Sequence, residues 1–369
     1  MNNGRIHLIR IVWFSFLAGF MLTSIFCLFI LQKPTFSPST NTANTNVLSE
    51  SIAQDVQTST IPSPDQKILG ILLFGYGGAG HDGGFLTDAI QILNIDFIKT
   101  QINLISIPRD LWVKLADESE LKINATILNS ATSKTDLIKT GAPALKKLLT
   151  DVTGVKIDYF IGVDFVGFQR AIGINLKGID VAVAETLDDP WYPIQGEELS
   201  TCNMTLDEIK EVHIKYSGFE LERQFTCRYK HLHFEKGTVH MEGGDALEYV
   251  RSRHGSNEGD ISRGHRQQEV LTAMRKKLFS LEALDKLPGF FNEIVKNTQT
   301  DINIEIVTYL LPTLKKSRDF KVQTINLSTT NVLSNTNSKI GGSILVPKEG
   351  NFKWDKIREF VKEQVNRIP

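Results

Sequence analysis

The sequence predicts an α/β fold, because apolar runs of strand length alternate with amphipathic segments of helical length after the first 66 residues. The first three runs, Ile68–Phe74, Ala89–Ile95 and Ile102–Ile107, predict strands, and Pro108 stops the third. A glycine-rich segment, Gly75–Gly84, joins the first strand to the second. Dinucleotide fingerprints and P-loops open a helix instead, so neither motif is present here.

Helices and strands continue to alternate towards the C-terminus. Residues 136–150 predict an amphipathic helix that is interrupted near Gly141-Ala-Pro143, and 159–163 predict a strand followed by a helix over 164–172. The tail predicts a helix over 304–314, a strand over 322–327, a polar loop and a closing helix over 354–365. The predicted domains are a main part over 67–300, with a weakly periodic insertion at 185–235, and a C-terminal extension over 301–369 that packs on it.

Four arginines lie within sixteen residues of a chain whose formal net charge is only −1. They are Arg251, Arg253, Arg263 and Arg266. An extended backbone over 250–253 would place Arg251 and Arg253 on one face, because side chains two apart in a strand point the same way. Guanidinium groups bind phosphate oxygens in pairs, so this segment predicts an anion site. The alternative is a solvated basic turn.

Helical spacing begins beyond Asp260. Seven side chains then follow one stripe, namely Arg263, Arg266, Gln267, Val270, Leu271, Met274 and Leu278. Because the arginines head this helix, its unpaired N–H groups and its dipole would add to their attraction for an anion.

The composition restricts the kinds of ligand. With 41% hydrophobic and 22% charged positions, the 369 residues have the composition of an ordinary globular protein. A nucleic-acid binder needs a broad basic face, which a near-neutral chain does not supply. Any affinity for phosphate is therefore expected to be local.

Residues 11–31 predict a membrane anchor. They are uncharged over 21 positions, and as a helix they would span about 32 Å, close to the hydrocarbon core of roughly 30 Å. Arg5 and Arg10 precede the run and no acidic residue follows before Glu50, so residues 1–10 are expected in the cytoplasm and the main part outside it. A cleaved signal peptide is the alternative, but the run is longer than its usual apolar region and no A-x-A-like site follows.

The segment 32–66 predicts a flexible linker, since 22 of the 34 residues from Lys33 to Gln66 are Ser, Thr, Asn, Gln or Pro. Of the three cysteines, Cys27 lies in the anchor, which leaves Cys202 and Cys227 as an exported pair. Such a pair suggests a disulfide, and two free thiols are the alternative. The insertion also holds His213, His231 and His233, which are either exposed histidines or metal ligands, and no spacing of His and Cys indicates zinc.

Five motifs occur in a fixed order. They are L-T-D at 86–88, S-I-P-R-D at 106–110, K-I-N-A at 122–125, I-D-Y-F-I-G-V-D-F at 157–165, and G-D-A-L-E-Y-V-R-S-R followed by G-D-I-S-R-G-H-R-Q-Q over 244–268. Together they resemble the LytR-CpsA-Psr family, also called the cell-envelope-related transcriptional attenuator domain. The resemblance covers about residues 68–280 and implies a mixed central β-sheet flanked by helices, with a channel for a lipid tail, behind one transmembrane helix.

The resemblance also implies a function. It points to a phosphotransferase, anchored in the cell membrane, that moves a glycopolymer from a polyprenyl pyrophosphate carrier to peptidoglycan. That chemistry requires in-line positioning and neutralisation of phosphate charge, which arginines provide. The implied partners are the carrier-linked glycopolymer, peptidoglycan and the lipid membrane, and not nucleic acid. Two alternatives are a hydrolase that uses water as the acceptor and a non-catalytic binding or regulatory module of the envelope.

The matched positions give the expected site. Arg109, Arg251, Arg253 and Arg263 resemble the family's pyrophosphate-contacting arginines, Gln267 matches a phosphate neighbour, and Lys122 and Arg266 match further positions of the phosphate site. The expected catalytic set is Arg109, Asp88, Arg251 and Arg253. Asp110 either orients Arg109 through an ion pair or serves as the base for the acceptor hydroxyl.

Magnesium is the expected cofactor. Asp88 corresponds to the family's metal-binding acidic residue, although a turn-capping carboxylate is the alternative. Better-known members carry a second aspartate just after the first strand, where this chain has Gly75-Tyr76-Gly77-Gly78. Asp82 is the candidate replacement.

Overall fold

A mixed six-stranded sheet lies at the centre of the fold, which confirms the predicted α/β class. In the computed structural model, its strands run in the order β11-β6-β1-β2-β3-β12. They are β1 (Ile68–Tyr76), β2 (Thr87–Asp96), β3 (Gln101–Ser106), β6 (Tyr159–Asp164), β11 (Thr298–Thr300) and β12 (Lys321–Asn326). The β1–β6 and β3–β12 pairs are parallel, and the remaining neighbours are antiparallel.

The structure describes residues 67–81, 83–252, 255, 260–278, 295, 298–316, 319–339 and 341–367, all within one unit that runs from Thr58 to Pro369. The predicted N-terminus, anchor and linker at 1–10, 11–31 and 32–66 lie outside these residues, as do Asp82 and Arg253. Within the described ranges, no helix combines the length and the apolar character that crossing a membrane requires.

Four two-stranded ribbons surround the sheet. They are β4 (Trp112–Lys114) with β5 (Glu120–Lys122), β7 (Ile179–Val183) with β10 (Gly237–Met241), β8 (Leu187–Pro193) with β9 (Tyr229–Phe234), and β13 (Leu333–Asn337) with β14 (Ser343–Pro347). The described α-helices are α1 (Thr126–Ser130), α2 (Leu137–Thr153), α3 (Phe165–Arg170), α4 (Leu206–Lys215), α5 (Gly218–Glu222), α6 (Gly243–Arg251), α7 (Asp260–Leu278), α8 (Ile304–Lys316) and α9 (Asp355–Asn366).

One face of the sheet is sealed by an apolar core under α2 and α9. Leu72, Ile92 and Ile105 from the strands are buried there against Leu145 of α2 and Ile357 of α9. The central strands are buried on both faces, and they are therefore short, largely apolar runs in the sequence.

The opposite face is covered by α8 and by α7. Under α7 the contact is made by amides: Gln268 donates to Asn326 Oδ1 at 2.9 Å, and Gln91 donates to Gln267 at 3.4 Å. Gln91, Asn103 and Gln268 are nevertheless buried. Buried polar groups require partners, so these amide bonds fix the position of α7 on the strands.

The C-terminal segment 301–369 is part of the same sheet and cores. β12 forms its edge beside β3, and α9 packs against α2. The sheet therefore continues across residue 300, where the main part was expected to end and the C-terminal extension to begin. The polar loop predicted after β12 contains the β13–β14 hairpin, so that prediction is wrong for these two strands.

The predicted interruption of the helix at Gly141-Ala-Pro143 is also wrong, because α2 is continuous and carries Pro143 inside it. A Cβ on Gly141 would lie 2.2 Å from the Ile127 carbonyl oxygen. Gly141 therefore serves the close approach of α1 to α2, and the buried face of α2 outweighs the unfavourable helix propensity of glycine and proline.

The insertion extends from the β7–β10 ribbon and contains β8, α4, α5 and β9. Cys202 and Cys227 are disulfide-bonded within it, with Cα atoms 5.5 Å apart. Arg228 packs over the Phe225 ring at 3.8 Å, next to this bond. The covalent link holds the segment that leads into β9.

We expect reduction of this disulfide to destabilise the protein by about 3 kcal/mol in the chain-entropy model. The measurement is thiol labelling of a Cys27→Ser chain before and after reduction, with the unfolding midpoint of each form. The Cys27→Ser background removes the only other cysteine. Two labelled thiols in the native, unreduced protein would contradict the bond.

Candidate active site

The segment that follows β3 is held by three of the sequence motifs. The backbone N–H of Asn124 donates to the Arg109 carbonyl at 3.3 Å, and Thr87 Oγ1 donates to the Asn124 carbonyl at 3.2 Å. These bonds join S-I-P-R-D, K-I-N-A and L-T-D at the end of the sheet where β3 ends and β2 begins. The motifs are separated in the sequence, but their side chains share one location.

Five charged side chains meet at this end of the sheet, and we call them the anion cluster. Its members are Asp88, Arg109, Asp110, Lys122 and Arg263. Arg109 Nη1 donates to Asp88 Oδ1 at 2.6 Å, and Lys122 Nζ donates to Asp110 Oδ1 at 2.5 Å. Arg109 Nε lies 3.6 Å from Asp110 Oδ2. The cluster thus holds three cations against two carboxylates.

Asp110 is held in its charged form. Burial alone would raise the pKa of its carboxyl, but the hydrogen bond from Lys122 and the charges of Arg109, Lys122 and Arg263 outweigh burial and bring the pKa below its ordinary value. A general base works best with a pKa near the working pH. The geometry therefore favours Asp110 as the residue that orients Arg109 and Lys122.

Arg109 carries a buried donor that the described residues leave without a hydrogen-bond acceptor. Its Nε is buried and makes no hydrogen bond in this part of the chain, since the Asp110 oxygen at 3.6 Å is too distant for one. An unsatisfied buried donor is costly, and an anionic oxygen would satisfy it. This donor fits a phosphate oxygen.

The first turn of α7 delivers Arg263 to the cluster. A Cβ on Gly264 would lie 3.2 Å from Ser106 Oγ, so the helix start crosses the end of β3 closely. Arg263 is 6% exposed and acts electrostatically on Asp110. The start of α7 at Asp260 confirms the predicted onset of helical spacing.

Arg251 lies at a different position from the one that an extended backbone would give. It is the last residue of α6, so the extended conformation considered for 250–253 is wrong at Arg251. Its guanidinium lies 4.3 Å from the Phe165 ring centroid, and its charge acts on the Tyr192 hydroxyl. His81 of the glycine-rich segment packs edge-on against Phe165 at 5.1 Å, so Arg251 lies next to that segment.

Arg266 binds backbone carbonyls. Its Nε donates to the Tyr249 carbonyl at 2.9 Å, and the same guanidinium donates to the Ser252 carbonyl. Arg266 is 6% exposed, and its bonds join α7 to the end of α6 directly beside Arg251. Gln267, the next residue, is half-buried and accepts the bond from Gln91.

Replacing Arg266 by Gln is expected to destabilise the protein by about 2–4 kcal/mol, because two buried carbonyls lose their charged donor. Chemical denaturation measures the effect. His265→Ala is the matched control, since it removes an exposed side chain from the same turn of the helix. An Arg266→Gln variant with parental stability but weakened phosphate binding would instead show that Arg266 contacts the ligand.

The residue that the sequence interpretation missed is Asp164. Its Oδ1 accepts the Gly167 N–H at 2.7 Å and caps α3. A Cβ on Gly78 would lie 3.3 Å from its Oδ2, so the carboxylate lines the glycine-rich segment. Burial, followed by the charge of Asp164, raises the pKa of Tyr76 to about 12. The signal was the last aspartate of the I-D-Y-F-I-G-V-D-F motif, which also marks the end of β6.

Comparison with known proteins agrees with this fold. Residues 35–348 match the model of the LytR_cpsA_psr family. The chain is 25% identical over 310 residues to the polyisoprenyl-teichoic acid–peptidoglycan teichoic acid transferase TagV of Bacillus subtilis, a match that covers 82% of this chain and 66% of that protein. It is 26% identical over 317 residues to the regulatory protein MsrR of Staphylococcus aureus, covering 84% and 80% of the two chains. The crystal structure of Bacillus subtilis TagV superposes with a TM-score of 0.56 at 22% identity, over 82% of this chain and 99% of that one.

A mixed sheet flanked by helices defines an α/β protein, and in this chain basic side chains gather where β3 ends. The chain belongs to the LytR-CpsA-Psr family, since the family match covers most of its length. The predicted family is therefore confirmed.

Proposed function

We propose that this protein is a phosphotransferase that moves a glycopolymer from a polyprenyl pyrophosphate carrier to peptidoglycan. The observation that carries the proposal is the anion cluster, in which Arg109 presents an unsatisfied buried Nε close to Lys122 and Arg263. The relative TagV, a polyisoprenyl-teichoic acid–peptidoglycan teichoic acid transferase, supports the same substrate class.

In the proposed reaction, a peptidoglycan hydroxyl oxygen attacks the phosphorus that carries the glycopolymer. A new P–O bond forms, the bond from that phosphorus to the bridging oxygen breaks, and polyprenyl phosphate leaves with the electron pair. The hydroxyl proton passes to a base or to solvent. Phosphoryl transfer of this kind needs little beyond alignment and stabilisation of charge on the phosphate oxygens.

The chain's own residues account for that stabilisation. Arg109, Lys122 and Arg263 supply positive charge at the end of β3, and Asp110 fixes the orientation of the first two. Arg251 is held on Phe165, next to the glycine-rich segment, and in the proposal it contacts the second phosphate. The Phe165 ring and Tyr192 limit the rotation of Arg251 and so prepare it for binding.

Magnesium is part of the proposal. Asp88 offers a carboxylate that is 39% exposed, and hard oxygen donors of this type suit Mg²⁺. Asp88 would hold the ion with Asp82 as the second candidate ligand, and the ion would neutralise phosphate oxygens when bound. The arginine contact to Asp88 Oδ1 is compatible with this role because a carboxylate has a second oxygen.

We also propose that the protein is anchored in the cell membrane through residues 11–31, with residues 1–10 in the cytoplasm and the folded part outside. The linker at 32–66 would keep the site near the membrane surface, where a polyprenyl-linked donor resides. Direct contact with nucleic acid is not part of the proposal.

The test is reconstitution of the full chain in liposomes that contain a polyprenyl pyrophosphate-linked oligosaccharide, with peptidoglycan added outside. An oligosaccharide–peptidoglycan phosphodiester, detected by mass spectrometry, is the expected product. Release of polyprenyl phosphate with equal amounts of soluble phosphorylated sugar would instead indicate the hydrolase. Donor binding without any product would indicate the binding or regulatory module, which the name of the relative MsrR keeps under consideration.

A further inference from the structure

A second cluster of ligand-type side chains lies in the insertion, on the β8–β9 ribbon. Among the residues described here, it is the one group of three or more His, Cys, Asp or Glu whose ligand atoms all lie within 4.8 Å of one another. Its members are Asp188, His231 and His233, and all three are exposed. We call it the ribbon cluster.

The register of the ribbon explains why these three side chains meet. Asp188 of β8 is directly opposite His233 of β9. His231 is two residues from His233 on the same strand, so both imidazoles project from the same face as the carboxylate. The backbone pairing of the two strands therefore holds the three side chains close together.

The distances suit a tetrahedral metal ion. His231 Nε2 lies 2.6 Å and His233 Nδ1 lies 2.9 Å from the same oxygen, Asp188 Oδ1. Zinc binds imidazole nitrogen and carboxylate oxygen at about 2.0–2.2 Å, which places neighbouring tetrahedral ligands about 3.3–3.5 Å apart. Each contact would need to open by less than about 1 Å, a change within the range of side-chain rotation.

The cluster also has an outer partner of the kind that metal-binding histidines use. The other nitrogen of His233, Nε2, lies 3.0 Å from Glu235 Oε1, and Glu235 in turn accepts from the Thr186 hydroxyl at 3.3 Å. A carboxylate that takes the distal N–H of a ligating imidazole fixes its tautomer and leaves the proximal nitrogen able to bind. A surface ion pair between histidine and aspartate does not require a second carboxylate on the other ring nitrogen.

From these contacts we propose that Asp188, His231 and His233 bind a divalent transition-metal ion of the zinc type, at a site separate from the Mg²⁺ site expected at Asp88. Water would complete the coordination. Two imidazoles and a carboxylate are borderline ligands that favour zinc over magnesium, so the two sites would select different ions.

The strand that carries Asp188 also contacts the residues around Arg251, which belongs to the expected phosphate site. Ser252, the residue after Arg251, donates to the buried Asp189 carboxylate at 2.6 Å. A Cβ on Gly255 would lie 3.0 Å from the Asp188 carbonyl, so this segment lies directly on β8. A metal ion on Asp188 would therefore stiffen the strand that supports the end of α6 and with it Arg251.

The test uses the untagged full chain, freed of metal by a chelator, and isothermal titration with ZnCl₂ in the presence of excess Mg²⁺. We expect one saturable zinc site that His231→Ala or His233→Ala weakens by at least 10-fold, and that Glu235→Gln weakens by about 10–100-fold. His213→Ala and His240→Ala are matched controls and should bind zinc as the parent does. His213 is bonded to the Ile209 carbonyl of its own helix, and His240 is paired with Asp180.

Hydrogen exchange supplies a second readout, since zinc should protect the β8 and β9 amides in the parent and not in His233→Ala. The proposal is overturned if no saturable zinc binding occurs, or if binding persists undiminished in both His231→Ala and His233→Ala. Circular dichroism of the variants checks that they fold; the replaced histidines are exposed, so no loss of fold is expected.

Discussion

Replacement of Arg109 by alanine is expected to reduce transfer by at least about 100-fold, the usual cost of removing one donor that is aimed at developing charge. The side chain is 20% exposed, is ion-paired to Asp88, and holds the buried Nε that no described residue satisfies. Alanine removes that donor together with one of the cluster's three cations. Initial rates at saturating donor, in the liposome assay, measure the loss.

Two variants separate the role of Arg109 from a general effect of charge. Arg109→Lys keeps the charge but removes the fork and the Nε donor, so its rate should fall between those of the parent and Arg109→Ala. Lys114→Ala is the matched surface control, because Lys114 is a nearby cation that pairs with the exposed Glu118. If Arg109→Ala retained more than half of the parental rate, Arg109 would have no part in stabilising the reaction.

The sequence predicts those elements whose periodicity is locally determined. The first three strands are short, largely apolar runs, and β1, β2 and β3 appear within about two residues of the predicted bounds. The onset of α7 at Asp260 was equally visible, since the 3.6-residue stripe begins there. In each case the signal lies in neighbouring residues of the sequence, so a sequence pattern records it.

Other elements depend on neighbours that are distant in the sequence. Gly141 and Pro143 are helix breakers by propensity, yet α2 passes through them because α1 packs against Gly141. The hairpin β13–β14 has a polar outer strand with no strong alternation. In both cases tertiary contacts outweigh local preference, and a single sequence does not show them.

The candidate site was likewise predictable only in part from the sequence. The resemblance supplied Arg109, Asp88 and Lys122 as members of one site, but it gave neither the direct Arg109–Asp88 bond nor the Lys122–Asp110 bond. Arg266 has the same residue type and helical stripe as Arg263, and only the fold shows that its guanidinium is bonded to carbonyls of α6 and its following residue. Side-chain partners across separate elements are thus the part that required the structure.

Asp88→Asn is expected to reduce transfer strongly and to raise the concentration of Mg²⁺ needed for half-maximal rate, because the amide keeps the shape of the carboxylate but lacks its charge. Activity across a magnesium titration measures the effect. Binding of Mn²⁺, followed by electron paramagnetic resonance, gives a readout that does not depend on turnover. Asp117→Asn, in the turn between β4 and β5, is a matched exposed control whose carboxylate bonds Ser119.

Asp88 also orients Arg109, so a loss of activity alone would not establish a metal ligand. A double-mutant cycle separates the two roles. If Asp88 only orients Arg109, then Asp88→Asn should have no further effect in an Arg109→Ala background, and Mn²⁺ binding should be unchanged by it. If Asp88 holds the ion, the second substitution should lower Mn²⁺ binding in both backgrounds. Asp82→Asn, tested in the same titration, then shows whether that residue is the second carboxylate or whether water and the substrate's own oxygens complete the coordination, as is common for magnesium.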